Sequence, residues 1–147
     1  MFDIQDVDRT LEERGVEDAC LMGKWLRKHK YFPDVIITSH AVRANGTGSI
    51  IAWMLGYPND DILINKSLYE HGVAGYRDVL SSLDKDLKMV MLVGHNPDIS
   101  SFGASLCNEF QMDFPTAAIA GIELKIKDWK QARDTQGKLK FFEYPPK

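Results

Sequence analysis

The sequence predicts an α/β domain, a three-layer αβα sandwich with a mostly parallel central sheet. Three observations carry that reading. Asp34-Val-Ile-Ile-Thr-Ser39 and Lys88-Met-Val-Met-Leu-Val-Gly94 are short runs, apolar at consecutive positions, as strands buried on both faces read. Segments with helical apolar spacing lie before, between and after them. The chain has 147 residues, 44% apolar and 27% charged, which suits one domain over residues 1–147 with its own core.

The elements follow in order. Thr10-Leu-Glu-Glu13 reads as a capping box, and Leu11, Val16, Ala19, Cys20, Met22, Gly23 and Leu26 fall on one helical face behind it. That helix fades in Lys28-His29-Lys30, cations suited to a C-terminal dipole, and Phe32-Pro33 breaks it. After the first strand, a helix over Val42 to Leu55 is closed by Gly56-Tyr57-Pro58. Ile62 to Ile64 reads as a short strand and Tyr76 to Leu83 as a helical turn or two. Pro97 suits a first helical position, opening a helix to Phe110. Ala117 to Ile126 and Leu139 to Tyr144 read as strands, the second at an edge.

Several classes are excluded. A net charge of −3 gives no global attraction to nucleic acid or an anionic membrane. No apolar run approaches the ~20 residues that cross a bilayer. The first nine residues, MFDIQDVDR, have neither a basic start nor an apolar stretch, so no secretory leader is read and a cytoplasmic location is expected. Cys20 and Cys107 read as buried free thiols. Trp25, Trp53 and Trp129 read as packing residues. No cluster has metal-ligand spacing, and no glycine-rich phosphate loop argues for a nucleotide, so neither metal nor cofactor is expected.

Ligands of such sheets bind beyond the carboxyl ends of the strands. That rule selects Ser39-His-Ala-Val-Arg43 and Gly94-His95-Asn96. Arg43, one turn into a helix, can present its planar donor fork to a phosphate. His95, beside a helix N-terminus, can donate to an anion or transfer a proton. Singly, each feature is weak: strand-end histidines are often structural, and helical arginines are mostly surface charges.

Together these segments resemble the histidine phosphatase superfamily, which is phosphoglycerate mutase-like in fold, and its small SixA-like phosphohistidine phosphatases in particular. Ser39-His-Ala-Val-Arg43-Ala-Asn-Gly-Thr47 is similar to the family's serine, arginine-alanine, threonine segment. Val93-Gly94-His95-Asn96-Pro97 resembles the segment with its second catalytic histidine. Asp8-Arg9-Thr10-Leu11-Glu-Glu-Arg14-Gly15, Leu68-Tyr69-Glu70 and Phe114-Pro115-Thr116-Ala117 match further stretches in order. The resemblance implies hydrolysis of a phosphomonoester or phosphoramidate through a phosphohistidine intermediate. It implies Arg43 and His95 in the phosphate cluster, Asn96 and Ser39 as lesser contributors, and Glu70 as the candidate proton donor. Glu70 reads first as a solvated loop charge and only second as that donor, His71 reads as surface, and His40 as close to the pocket mouth.

One departure stands out. The family opens with an apolar strand ending in arginine-histidine, and that histidine is the nucleophile. The four histidines here are His29, His40, His71 and His95, and none follows an N-terminal apolar strand. The chain is therefore expected to lack the first central strand, to be truncated relative to the family, and to be inactive as given. A non-catalytic phosphate- or phosphoprotein-binding module is the alternative. The expected partner is phosphate or a phosphorylated protein or small molecule. A gap in the sheet, a homodimer by strand exchange, or occupation of part of the gap by residues Met1 to Val7 would follow from the missing strand.

Overall fold

The computed structural model describes residue 8, residues 10–109 and residues 113–146. Its sheet is built on β1 (Val35–Thr38), the strand predicted to be buried on both faces and found buried at all four residues. β1 pairs in parallel with β2 (Leu63–Ile64) on one side and β3 (Val90–Val93) on the other. The register against β3 runs from Val35 opposite Val90 to Thr38 opposite Val93. Two later strands, β4 (Ile119–Glu123) and β5 (Lys138–Glu143), form a separate antiparallel pair.

Alternation along β1 sorts the two helical layers. Ile36 and Thr38 face α2 (Val42–Leu55), where their methyl groups lie over Gly48. α1 (Glu13–Lys28) packs on α2, with Gly23 against Met54 and Ile51. Val35 and Ile37 face the other layer. They cluster there with Leu68 of α3 (Ser67–Glu70), with Tyr76, Val79 and Leu80 of α4 (Gly72–Ser81), and with Phe102 and Leu106 of α5 (Asp98–Leu106). Ala132, in a 3-10 turn over Trp129–Arg133, completes that cluster. Each fully buried aliphatic side chain of this kind contributes roughly 1.5–3 kcal/mol.

Several boundaries differ from the sequence reading, for local reasons. α1 begins at Glu13 with Glu12 as N-cap and no side-chain cap, so Thr10 does not close a capping box. Instead the Leu11 side chain lies over Gly15 and Gly46, which keeps this segment packed on α2 outside the helix. Val16 is exposed and Cys20 only half-buried, because the face α1 buries runs through Asp18, Ala19, Met22, Gly23 and Leu26. Cys107 is buried as expected. α4 starts at Gly72, earlier than expected, because Gly75 lets its first turn sit directly on the Ser67 carbonyl. α5 starts after Pro97, which is its N-cap, and stops at Leu106. The expected end at Phe110 lies outside the described residues, as do Met1 to Val7. β4 is shorter than Ala117 to Ile126, and a register shift falls between Gly121 and Ile122. Gly56 closes α2 in the left-handed region, as its position predicted. Trp53 is 75% exposed on the outer side of α2 and packs nothing into the core.

At the amino ends of β1 and β3 one side chain fixes the pairing. The Asp34 amide donates to the Met89 carbonyl at 2.7 Å, and Asp34 Oδ2 accepts from the amides of Lys88 at 2.7 Å and Met89 at 3.0 Å. These two amide bonds, with the charge of Lys88, hold the carboxyl below its ordinary range against a small desolvation effect. A lowered value places the stabilisation above the unfolded value of 3.8 and removes it as pH falls through the folded value. Asp34→Ala is expected to cost about 1 kcal/mol, the size of a lost capping bond. It should also flatten the acid limb of stability in urea melts between neutral pH and pH 3. An unchanged acid limb would show that the clamp contributes nothing.

Candidate functional site

The parallel register carries past the strand ends. With Thr38 opposite Val93, Ser39-His40 and Gly94-His95 leave neighbouring strands side by side, and the Ser39 amide still donates to the Val93 carbonyl at 3.0 Å. Ser39 is fully buried, and its hydroxyl accepts from the Ala41 amide at 3.3 Å, shaping the turn into α2. Arg43 follows on the first turn of α2, exposed.

An aromatic ring lies between the two imidazoles. Tyr69 of α3 stacks on His95 with centroids 4.5 Å apart and meets His40 edge-on at 5.3 Å. Nδ1 of both histidines is buried without a hydrogen-bond partner. Such atoms carry a free-energy cost and concentrate where a site serves chemistry rather than stability. Beneath Gly94 lies the Tyr76 hydroxyl, so close that any β-carbon at 94 would overlap it. Burial pushes the Tyr76 phenol up to about 12; the His95 amide opposes the shift and Asp98 adds to it.

Asn96 has a bridging task. Its Nδ2 donates to the Phe114 carbonyl at 2.7 Å and its Oδ1 accepts from the Ser100 hydroxyl, which in turn accepts from the Phe114 amide at 2.9 Å. These bonds tie the segment before β4 to the start of α5.

Arg43, His95 and Asn96 line one cleft of about 760 Å³, together with Thr47, Pro115 and Thr116. Ser39 and Glu70 stand outside its lining; Glu70 is exposed at the end of α3. The cleft continues between β3 and β4, lined by both strands along their length. It is closed at the His95 end by the Asn96–Phe114 bond and at the far end by the Trp129 indole donating to the Leu87 carbonyl at 2.9 Å. β3 and β4 therefore run in opposite directions across it. Among the described residues no group of histidine, cysteine and acidic side chains could hold a metal ion. No helix among them is long and apolar enough to cross a membrane.

Sequence reasoning reached Arg43, His95 and Asn96 and missed both tyrosines. Tyr69 carried a faint signal, its place beside Glu70 in a matched segment. Tyr76 carried none, since an aromatic in an apolar helix reads as core.

No protein-family model matches the chain. The uncharacterized protein Rv1276c of Mycobacterium tuberculosis is 27% identical over 129 residues, spanning 80% of this chain and 77% of that protein. Among solved structures, one described as a SixA phosphohistidine phosphatase from Nakamurella multipartitia superposes with a TM-score of 0.84 at 24% identity, covering 99% of this chain and 90% of that one. The protein histidine phosphatase SixA complexed with tungstate superposes at 0.81 and 23% identity, covering 98% and 89%. A similar SixA structure from Agrobacterium tumefaciens gives 0.78 at 24%, covering 97% and 88%. The chain shares the fold of these SixA structures.

Gly94→Ala tests the packing under the His95 loop. Overpacking of this kind costs about 1–3 kcal/mol. Tyr76→Phe should recover only part of that loss, because the ring Cζ still lies 2.7 Å from the added carbon. The raised Tyr76 value also sets an alkaline limb. Its stabilisation is intact below the unfolded value of 10.0 and is lost as pH rises towards 12. Denaturant melts from pH 8 to 12 should show that limb in the parent chain and not in Tyr76→Phe.

Proposed function

We propose that the two strand ends form the phosphate-binding half of a phosphohistidine phosphatase-type site, and that this chain lacks the nucleophile needed to turn it over. The observation that supports this reading is the meeting of Arg43 and His95 on one cleft although about fifty residues separate them. The tungstate complex of a protein with this fold is consistent with an oxyanion pocket. Arg43 would set its planar fork against two equatorial oxygens of a phosphoryl group. His95, held by Tyr69, would donate to the same group as charge builds on it. Asn96 would hold the loop in place through its bonds to Phe114 and Ser100. Glu70, exposed at the end of α3, is a low-ranking proton donor, and a phosphoramidate leaving group needs less help from an acid than an alkoxide does.

In the complete reaction a neutral imidazole attacks phosphorus, a nitrogen–phosphorus bond forms, and the bond to the leaving group breaks. Water then attacks the phosphohistidine and releases inorganic phosphate. Neither metal nor cofactor enters that sequence. No histidine of this chain stands where the attacking imidazole belongs, so the chain as given should hydrolyse an aryl phosphate or a phosphohistidine protein no faster than its His95→Ala variant. Robust, His95-dependent turnover would sink the reading. The alternative is a module that binds phosphate without turnover.

A gain-of-function experiment separates the two. The chain is extended at its N-terminus by an apolar strand ending in arginine-histidine-alanine, and phosphohistidine hydrolysis is followed. Turnover is expected. Arg43→Ala in the extended chain should then cost ~10² to 10³ in rate, the usual loss of one phosphate-clamping donor at about 3–4 kcal/mol. Arg43→Lys should recover only part, because a point charge cannot replace the bidentate fork. An extended chain that folds and stays inert would leave the binding module as the better reading.

A further inference from the structure

The side of the sheet away from the cleft ends in an apolar edge. Among the described residues β2 pairs with β1 alone and is the last strand on that side. Both of its residues are apolar and stand in solvent, Leu63 at 53% and Ile64 at 59% exposure. Edge strands ordinarily guard their free side with charge, proline or a covering element. The charges here lie outside the apolar pair, Asp60 and Asp61 before it and Lys66 after it, all exposed.

α2 continues the same surface. α1 takes the side of α2 that carries Ile51 and Met54. At about 100° per residue, Val42, Ser49 and Trp53 fall on the side turned away from that contact. Asn45 shares their flank and reaches down to β1, donating to Thr38 Oγ1 at 3.2 Å. Just past α2, the Tyr57 hydroxyl donates to the Asp61 carbonyl at 3.2 Å, at the entry to β2. The flank therefore overhangs β2. Ile64, opposite Thr38 in the register, faces the same layer. Val42 at 41% and Trp53 at 75% exposure thus join Leu63 and Ile64 along one edge of the molecule.

We propose that this edge binds a second copy of the chain about a two-fold axis, β2 against β2 in antiparallel pairing and α2 beside α2. The main chain and the charges select the register. The Asn65 amide donates to the Thr38 carbonyl at 2.8 Å, so residues 63 and 65 turn their amides to β1 and Ile64 turns its amide outward. The Ile62 amide is taken by the Asn59 carbonyl at 3.1 Å, which leaves the Ile62 carbonyl as an acceptor. With Leu63 opposite Leu63 of the second copy, each Ile64 amide donates to the other copy's Ile62 carbonyl. The same register sets Asp60 opposite Lys66 on both sides of the axis, so charges that guard a lone edge become paired. Centring the axis on Ile62 or Ile64 pairs no opposite charges. An unrelated strand would meet the same apolar edge without this reciprocal match. Strands ~4.8 Å apart place the two α2 helices, each over its own β1–β2 seam, ~10 Å apart, an ordinary packing distance with Trp53 at the contact. The pairing uses no residue of the cleft and stands apart from the function proposed above.

The test is sedimentation equilibrium of the chain and its charge variants. A monomer–dimer equilibrium is expected. Lys66→Asp, which sets acid against acid, should weaken the dimer about tenfold. Adding Asp60→Lys to that variant should restore it, and both substitutions fall on exposed side chains that the fold does not use. Tryptophan emission should shift to the blue as the dimer forms, a change that Trp53→Phe removes. Hydrogen exchange should show protection of the Ile64 amide that grows with protein concentration. A chain that circular dichroism shows to be folded and that stays monomeric at high concentration would overturn the proposal. So would a dimer indifferent to Lys66→Asp, a charge swap that restores nothing, or protection that grows at β3 and β4 instead of β2.

Discussion

The parallel pairing of β1 with β3 is the constraint on which the rest depends. Asp34 clamps its amino end through two main-chain amides, and the Ser39 amide bonded to Val93 continues it past the carboxyl end. Between them four residue pairs hold the register. A slip of one residue would turn every side chain of β1 to the opposite layer, placing Ile36 and Thr38 where the α4–α5 cluster needs Val35 and Ile37. It would also destroy the fit of Thr38 over Gly48, which sets how closely α2 approaches the sheet. Core packing and site geometry are thus one requirement: the register that buries the apolar residues correctly also sets the two loops beside each other.

Those features that depend on short, continuous patterns were legible in the sequence. β1 and β3 announced themselves as consecutive apolar residues, α2 by its period and its terminating Gly56, and the ligand end of the sheet by the strand-to-helix boundaries. What was not legible was decided by contacts between elements distant in the chain. Leu11 prefers two glycines on α1 and α2 to a place in the helix it precedes, so the apparent capping box at Thr10 is never made. α4 starts at Gly72 rather than at Tyr76, because Gly75 lets the helix sit on the Ser67 carbonyl, a contact no local pattern announces. Trp53 read as a packing residue and is exposed because α2 buries a different face.

The site divides along the same line. Arg43 and His95 could be named from the sequence because both lie just beyond a strand end, where ligands of such sheets bind. Tyr69 and Tyr76 could not. Tyr69 matters through a ring stacked between two histidines from different strands, and Tyr76 through a hydroxyl under Gly94. Ser39 matched a motif, yet its hydroxyl is used on the Ala41 amide, so the residue type reports the turn rather than a ligand contact. Glu70 matched a segment and sits exposed. A motif match thus located the loops, and the burial and bonding of each side chain then separated what faces the cleft from what builds it.

The cleft and the candidate anion site are parts of a single feature. Arg43, His95 and Asn96 occupy its end at the carboxyl termini of β1 and β3, while β3 and β4 form its length. Any chain lying in the cleft parallel to β3 would deliver its last residues beside Arg43 and His95. The order of assembly follows from the pairing. β1, β2 and β3 complete their ladder without that chain, and the Asp34 clamp and the α1–α2 packing need nothing from the cleft. The Arg43 and His95 end of the cleft is therefore set by contacts independent of the space between β3 and β4. Among the described residues β3 pairs with β1 alone, and its apolar side chains are half-buried where β1 is buried throughout.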